Sequence, residues 1–286
     1  MNKRELLYFA VFDGTVEDNL RYYGYSSELI KRLRSRLGLV KVNGNDMILV
    51  ANIKKCDSIY VCLEDYPKPR DIFDKEVNIV YDDEDIAVID KSADIAVIET
   101  RLHYGKSLAN ALQKVWGDFV YRPINRLDRQ TSGLMAVAKN AYAHSVFSSK
   151  KSVITRKYLA VVHGILTTDS GVIDEPIGRV SENSVLRKVS ADGQYARTNF
   201  QVVERFDDRT LVSFELDTGR THQIRVHSAY LGCPLMGDDM YGGRIDEITR
   251  HALHSCYISF THPVTHARIE LFSDMPEDMK KLILKK

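Results

Sequence analysis

The residues best suited to chemistry lie between Asn125 and Lys139, in the run Asn-Arg-Leu-Asp-Arg-Gln-Thr-Ser-Gly-Leu-Met-Ala-Val-Ala-Lys, where one carboxylate, Asp128, stands between Arg126 and Arg129. The polar half ends at Gly133 and gives way to the apolar stretch Leu134 to Ala138, the pattern of a loop feeding a buried strand. A neighbouring arginine lowers a carboxylate's pKa and keeps it charged under partial desolvation. Asp128 is therefore suited to act as a nucleophile or base in a dry pocket. The same residues also suit a structural ion pair at a loop, so the rest of the chain must separate the two.

Two more stretches carry candidate groups. In Thr-Arg-Lys-Tyr-Leu-Ala-Val-Val from Thr155, Tyr158 opens a strand-like apolar run, a place where tyrosine ordinarily packs at a core or its rim. In Leu-Asp-Thr-Gly-Arg-Thr-His-Gln-Ile-Arg-Val-His from Leu216, a strand ends, Gly219 turns the chain, and Thr221 to Leu231 is predicted as a helix stopped by Gly232. Ile224, Ser228 and Leu231 are then expected to face the core. Arg225 lies beside that stripe, where burial demands a carboxylate, and Asp128 is the candidate partner. No metal site is expected: His222 and His227 diverge by roughly 140° on a helix, and Pro263 spoils the pair His262 and His266. No phosphate-cradling glycine loop appears, and the glycine-rich run from Gly237 lacks dinucleotide spacing, so no cofactor is expected.

These groups need a framework. The chain has 286 residues, 44% of them hydrophobic, enough for a sizeable core and a small accessory domain. Lys and Arg total 40 against 39 Asp and Glu, so a polyanion partner would have to be met by local segregation of charge. The start is read as a strand rather than a signal peptide, no apolar run reaches membrane-spanning length, and four scattered cysteines suit a reducing cytoplasm. From Val77 onward, strand-length runs (Ile86 to Ile89, Leu134 to Ala138, Tyr158 to Val162, Leu211 to Leu216, Cys256 to Phe260) outnumber helices in mixed order. An α+β domain with a largely antiparallel, mixed sheet is expected over residues 77–286.

Ahead of it, residues 26 to 37 are predicted as an amphipathic helix with Leu29, Ile30, Leu33 and Leu37 on one arc, followed by a strand, an Asn43-Gly44 hairpin turn and a return strand from Met47 to Val50. Lys31, Arg32, Arg34 and Arg36 have no acidic residue between them and are candidate RNA contacts. Ser-Ser-Glu-Leu-Ile-Lys-Arg-Leu-Arg followed by Val-Lys-Val-Asn-Gly-Asn resembles the small RNA-binding domain shared by a small-subunit ribosomal protein and many RNA-modifying enzymes. That places a small α/β RNA-binding domain at residues 1–66 and a stiff linker, containing Pro67-Lys68-Pro69-Arg70, at 67–76.

The larger segment resembles the RluA family of pseudouridine synthases. Asn125 to Lys139 is similar to the family's central motif, His-Arg-Leu-Asp-Arg-Asp-Thr-Ser-Gly-Leu, with Asn125 and Gln130 as departures; Arg156 to Gly164 resembles its tyrosine motif, and Thr218 to His227 its third, continued from Leu231. The resemblance implies Asp128 as the catalytic aspartate, Tyr158 as the tyrosine beside the target uracil, and Arg225 as the aspartate's partner. It further implies Arg126 as the arginine filling the space of a flipped nucleotide. The reaction implied breaks the bond between ribose and uracil nitrogen and rejoins the base through carbon, with no metal or cofactor. Flipping a uridine costs least in loops and bulges, so structured RNA is the expected partner, ribosomal RNA first and transfer RNA second, with a cytoplasmic monomer as the enzyme. The family's Lys-Pro-Ala-Gly turn stands here as Lys91-Ser92-Ala93-Asp94, which puts that loop's shape in question. The rival reading is a catalytically idle RNA-binding or ribosome-assembly factor on the same fold; a sugar hydrolase would need a second paired acid, which no motif supplies.

Overall fold

The computed structural model describes residues 2–100, 103–149 and 154–284. The N-terminal unit contains β1 (Asn2–Phe9), β2 (Gly14–Thr15), α1 (Val16–Tyr22), α2 (Ser27–Arg34), β3 (Val40–Val42), β4 (Asn45–Asp46), β5 (Asn52–Ile53) and β6 (Ser58–Asp65). Its sheet has the order β1-β6-β3-β4, and Leu20 of α1 and Leu29, Ile30 and Leu33 of α2 pack with Val40, Ile59 and Val61 of that sheet. The first helix, α1, was not expected from the sequence, although Thr15 and Asp18 form a reciprocal capping box at its start. The second ends at Arg34, earlier than predicted. Ser35 bonds its hydroxyl back to Arg32 O, and Leu37, placed on the buried arc by the sequence, is 76% exposed beyond the helix. Asn43 and Gly44 take the positive φ angles of a tight hairpin turn, 48° and 85°. The return strand is only β4. Met47 to Val50 does not extend it, because Leu49 O and Ala51 O are taken by the free N–H groups of Glu17 and Val16 at the start of α1.

The larger unit runs through β7 (Asn78–Asp82), β8 (Ile86–Lys91), α3 (Leu108–Trp116), β9 (Arg122–Pro123), β10 (Ser132–Ala138), α4 (Ala141–Ser148), β11 (Thr155–His163), β12 (Ser170–Asp174), β13 (Ile177–Arg179), β14 (Arg187–Val189), β15 (Arg197–Arg205), β16 (Arg209–Leu216), α5 (Gln223–Tyr230), β17 (Leu253–Thr261), β18 (Arg268–Phe272) and α6 (Glu277–Leu284). Its main sheet is ordered β12-β15-β16-β11-β17-β10-β8-β7, with β18 beside β17 and β9 beside β10. The pairings are antiparallel except β10 with β17, giving the α+β, mixed but mostly antiparallel sheet expected from the alternation of runs. Every residue of β10 is buried, so the strand leaving Asp128 runs through the middle of the domain.

The two units share a packed boundary. Tyr142 of α4 is buried in the small unit's core and donates to Tyr23 O at 2.9 Å, Ser26 N donates to Ser145 Oγ at 2.7 Å, and Arg4 forms a two-pronged pair with Asp85, both bonds 2.8 Å. The stretch 67–76 lies along the larger unit: Phe73 packs against its core, and Arg70 donates to Phe119 O at 2.8 Å.

Candidate active site

Asp128 sits between β9 and β10, and the chain around it is gripped residue by residue. Its carbonyl accepts from Thr131 N at 3.1 Å, closing a turn. The buried Lys91 ammonium donates to Arg129 O (3.0 Å), Ser92 O (2.8 Å) and Ile95 O (3.2 Å), and burial lowers its pKa to about 7. Arg250 donates to Gln130 O at 3.2 Å, and His251 Nε2 lies 2.7 Å from Thr131 Oγ1. His254 Nδ1 meets Ser132 Oγ at 3.0 Å. Gly133 has φ +104°, and a Cβ there would stand 2.2 Å from Ser255 O on β17, so only glycine lets β10 and β17 approach. Beside Lys91, Asp94 takes φ 68°, the left-handed conformation ordinarily left to glycine.

Arg225 enters from α5, which starts at Gln223, two residues later than predicted, and is followed by Gly232 at φ +75°. Ile224 and Ser228 are buried as expected, whereas Leu231, expected in the core, caps the helix and is 37% exposed. Arg225 is only 4% exposed. Its Nη1 donates to Asp128 Oδ2 at 3.1 Å, which brings together the two motifs that the sequence linked. Its principal partner is a different residue: Nε and Nη2 both bond the buried Asp238 carboxylate at 2.7 Å. A guanidinium fork matches one carboxylate along a full edge, and Asp238 takes that edge while Asp128 receives the remaining arm. Burial pulls the Arg225 pKa down, but the hydrogen bonds and charge of Asp238, then Asp128, leave it above the ordinary arginine value. Asp238 reaches this position because Gly237 leaves room for the backbone; a Cβ there would lie 2.0 Å from Arg250 O.

Tyr158, on β11 between β16 and β17, is 5% exposed, and burial pushes its phenol pKa up. Asp128, Tyr158, Arg225 and Arg126 all line one cavity of about 880 Å³. Arg126 is exposed at its edge and makes no ion pair among the described residues. His222 also lines it. This residue has φ 59° at the start of α5, its Nδ1 is 2.7 Å from Tyr241 Oη, and its Nε2 is 3.8 Å from Asp128 Oδ2.

Lys31, Arg32 and Arg34 lie on α2 and do not line the cavity. The row that looked unopposed in sequence is met by acids folded in from elsewhere: Arg32 by Asp65 at 3.3 Å, Arg34 by Glu17, and Arg36 by Glu64. Lys31 has no ion pair among the described residues. One group among them, Asp83, Asp85 and His262, has ligand atoms close enough for a metal, but Asp85 is already held by Arg4 and Asn140, and Asp83 by Tyr81 and two backbone N–H groups.

Sequence reasoning missed Asp238, His222 and the clamp formed by Lys91, Arg250 and His251. Asp238 had one usable signal: it follows a glycine in Gly-Asp-Asp-Met-Tyr-Gly-Gly, a run weighed only as a nucleotide loop. The assembled site offers one carboxylate at the mouth of a cavity, fixed by a buried guanidinium, and among the described residues no second acid lines the walls. Such a site can attack or deprotonate a sugar and is poorly equipped for two-carboxylate glycoside hydrolysis.

Similarity to known proteins agrees. The family model for RNA pseudouridylate synthase matches residues 85–230. The RNA pseudouridine synthase YjbO of Bacillus subtilis is 39% identical over 277 residues, covering 94% of this chain and 98% of the relative. Ribosomal large subunit pseudouridine synthase D of Vibrio cholerae is 40% identical over 231 residues, 74% of this chain and 71% of that protein. Among solved structures, human RNA pseudouridylate synthase domain containing 1 superposes with a TM-score of 0.58 at 28% identity, covering 70% of this chain and 83% of its own. The chain therefore belongs to the RluA-type family of RNA pseudouridylate synthases and is an enzyme that isomerises uridine in RNA to pseudouridine.

Proposed function

We propose that this synthase acts on ribosomal RNA of the large subunit, with Asp128 as the reacting carboxylate, Arg225 as its anchor, Tyr158 as the group beside the uracil and Arg126 as the arginine that fills the vacated stack. The observation that carries the reading is the charge of the cavity: Arg122, Arg126, Arg129, Arg156, Arg220 and Arg225 line it, and among the described residues Asp128 is the one carboxylate that does. A concave surface of that sign attracts a phosphate backbone while keeping a single anionic group for chemistry. Asp128 then acts at the ribose, either as nucleophile or by removing its proton; the freed uracil turns, rejoins ribose through C5, loses the C5 proton and gains one at N1. Tyr158, buried with its phenol pKa raised, packs against the base and holds it in place while the C5 proton leaves. The ribosomal target is favoured by the Vibrio cholerae relative, which is named for action on the large ribosomal subunit. Residues 1–66 are proposed to add RNA affinity through α2, where exposed arginines exchange a carboxylate for a phosphate at small cost. A soluble cytoplasmic monomer fits this work.

The test is to map pseudouridines in total RNA from cells with the gene, without it, and with Asp128→Asn in its place. The reading expects at least one large-subunit uridine that is modified only with the intact gene. A missing modification confined to transfer RNA would overturn the ribosomal assignment.

A further inference from the structure

His222 belongs to the cavity but to none of the roles assigned above. Three observations single it out. It is a non-glycine residue held at φ 59°, ψ 22°, a sparsely populated conformation that persists only where surrounding contacts impose it. Its ring is fixed from behind: Nδ1 lies 2.7 Å from Tyr241 Oη, and the two rings meet edge to face at 5.6 Å. Tyr241 Oη in turn accepts the Arg187 backbone N–H at 3.0 Å, so among the described residues the phenol's own proton has Nδ1 as its partner. That leaves the imidazole proton on Nε2, and Nε2 points toward the reacting carboxylate. Burial lowers the His222 pKa, with Arg225 adding to the effect against Asp128, so the ring stays neutral and this tautomer is kept.

The separation of Nε2 from Asp128 Oδ2, 3.8 Å, is too long for a direct hydrogen bond, yet a hydroxyl oxygen can sit at bonding distance from both. Oδ2 is also the oxygen held by Arg225 Nη1, which leaves Oδ1 to react. Resting on the reading of Asp128 as the group that works on ribose, we propose that His222 is a positioning residue whose Nε2–H donates to the 2′-hydroxyl of the flipped uridine, with that hydroxyl bridging to Asp128 Oδ2. The ribose is thereby oriented toward Oδ1, and a 2′-deoxy target loses the same contact. The 2′-hydroxyl is the chemical feature by which a protein tells RNA from DNA at one nucleotide.

The experiment uses the full chain and an RNA fragment spanning a mapped target, synthesised with [5-³H]uridine or [5-³H]-2′-deoxyuridine at that position, and reads tritium release under single turnover. His222→Asn tolerates the left-handed backbone but cannot reach the Nε2 position, whereas His222→Gln places an N–H there; Tyr241→Phe keeps its ring over Arg225 and loses the tautomer lock. On the ribo target His222→Asn is expected to slow conversion about tenfold and to weaken RNA binding by up to the same factor, His222→Gln to retain most of both, and Tyr241→Phe to fall between them. On the 2′-deoxy target the difference between wild type and His222→Asn should vanish. If that target turns over too slowly to follow, dissociation constants for the two RNAs give the same coupling. An equal penalty on both RNAs, or none on either, would overturn the proposal. Full activity of Asp128→Asn in the same assay would instead sink the assignment of Asp128, a distinguishable failure.

Discussion

Two of the regions in which arginines meet carboxylates in this molecule have opposite consequences. Around the cavity, Arg225 and Asp238 are both buried, bonded edge to edge, and set at the crossing of two distant motifs. On α2 and just beyond its end, Arg34 is paired with Glu17 and Arg36 with Glu64, but the two arginine side chains remain 53% and 56% exposed. Water already solvates the second set, so each pair is worth little and can be traded for an RNA phosphate. The first set has no such alternative: a charge left without its partner there stays buried. The buried cluster is a fixed part built to hold one carboxylate, and the exposed one is a replaceable surface.

The largest effect should come from breaking the buried pair. Asp238→Ala leaves Arg225 unmatched and is expected to cost roughly 3 to 5 kcal/mol of stability, read by urea unfolding. Arg225→Met strands Asp238 equally. Combining Arg225→Met with Asp238→Leu should recover much of that loss, whereas adding Asp128→Asn to Arg225→Met should recover little, because Asp128 is 28% exposed and Asp238 is not exposed at all. Stronger coupling of Arg225 to Asp128 than to Asp238 in the two cycles would reverse the ranking drawn here.

Acid should act next, through the clamp on the Asp128 loop. Burial, reinforced by Arg225 and Arg250, holds the His251 pKa down to about 2 from an ordinary 6.5. A depressed folded value means that stability is complete above the unfolded pKa and is lost as pH falls toward the folded one. At pH 5 the unfolded chain gains a proton the folded chain refuses, a loss of about 2 kcal/mol from this residue alone. His251→Asn should flatten the dependence of unfolding free energy on pH between 7 and 5; an unchanged slope would show that other groups carry it.

The smallest effect on stability belongs to α2. Reversing Lys31, Arg32 and Arg34 to Glu should shift unfolding by about 1 kcal/mol or less per pair, yet weaken RNA binding and flatten its salt dependence as fewer counterions are released. Unchanged affinity and slope would reduce this helix face to a solvated surface.

Legibility in the sequence follows the same division. Strands could be read because their burial is written locally: Ser132 to Ala138 is apolar from Leu134 and is buried throughout. The encounter of Asp128 with Arg225 was anticipated from the cost of burying an arginine, together with the family resemblance. Asp238 escaped because a bidentate partner is chosen by three-dimensional fit, and its neighbours in sequence advertise only a turn. The acids opposite α2 escaped for a related reason, since Glu17 and Asp65 are brought there by α1 and β6 and leave no mark near residue 31. The early end of α2 shows a third limit: one serine hydroxyl bonding back to a carbonyl outweighs an apolar arc that continues to Leu37.

The central claim, that a single carboxylate fixed by Arg225 performs the isomerisation, is tested most directly by Asp128→Asn in purified form. The variant keeps the shape and a hydrogen-bond acceptor for Arg225 but removes the reactive charge. Circular dichroism, RNA affinity and single-turnover conversion would be measured side by side on a large-subunit ribosomal RNA transcript that the wild type modifies. The account predicts native folding, affinity within a few fold of wild type, and no pseudouridine formed; substantial conversion by the folded variant would contradict it.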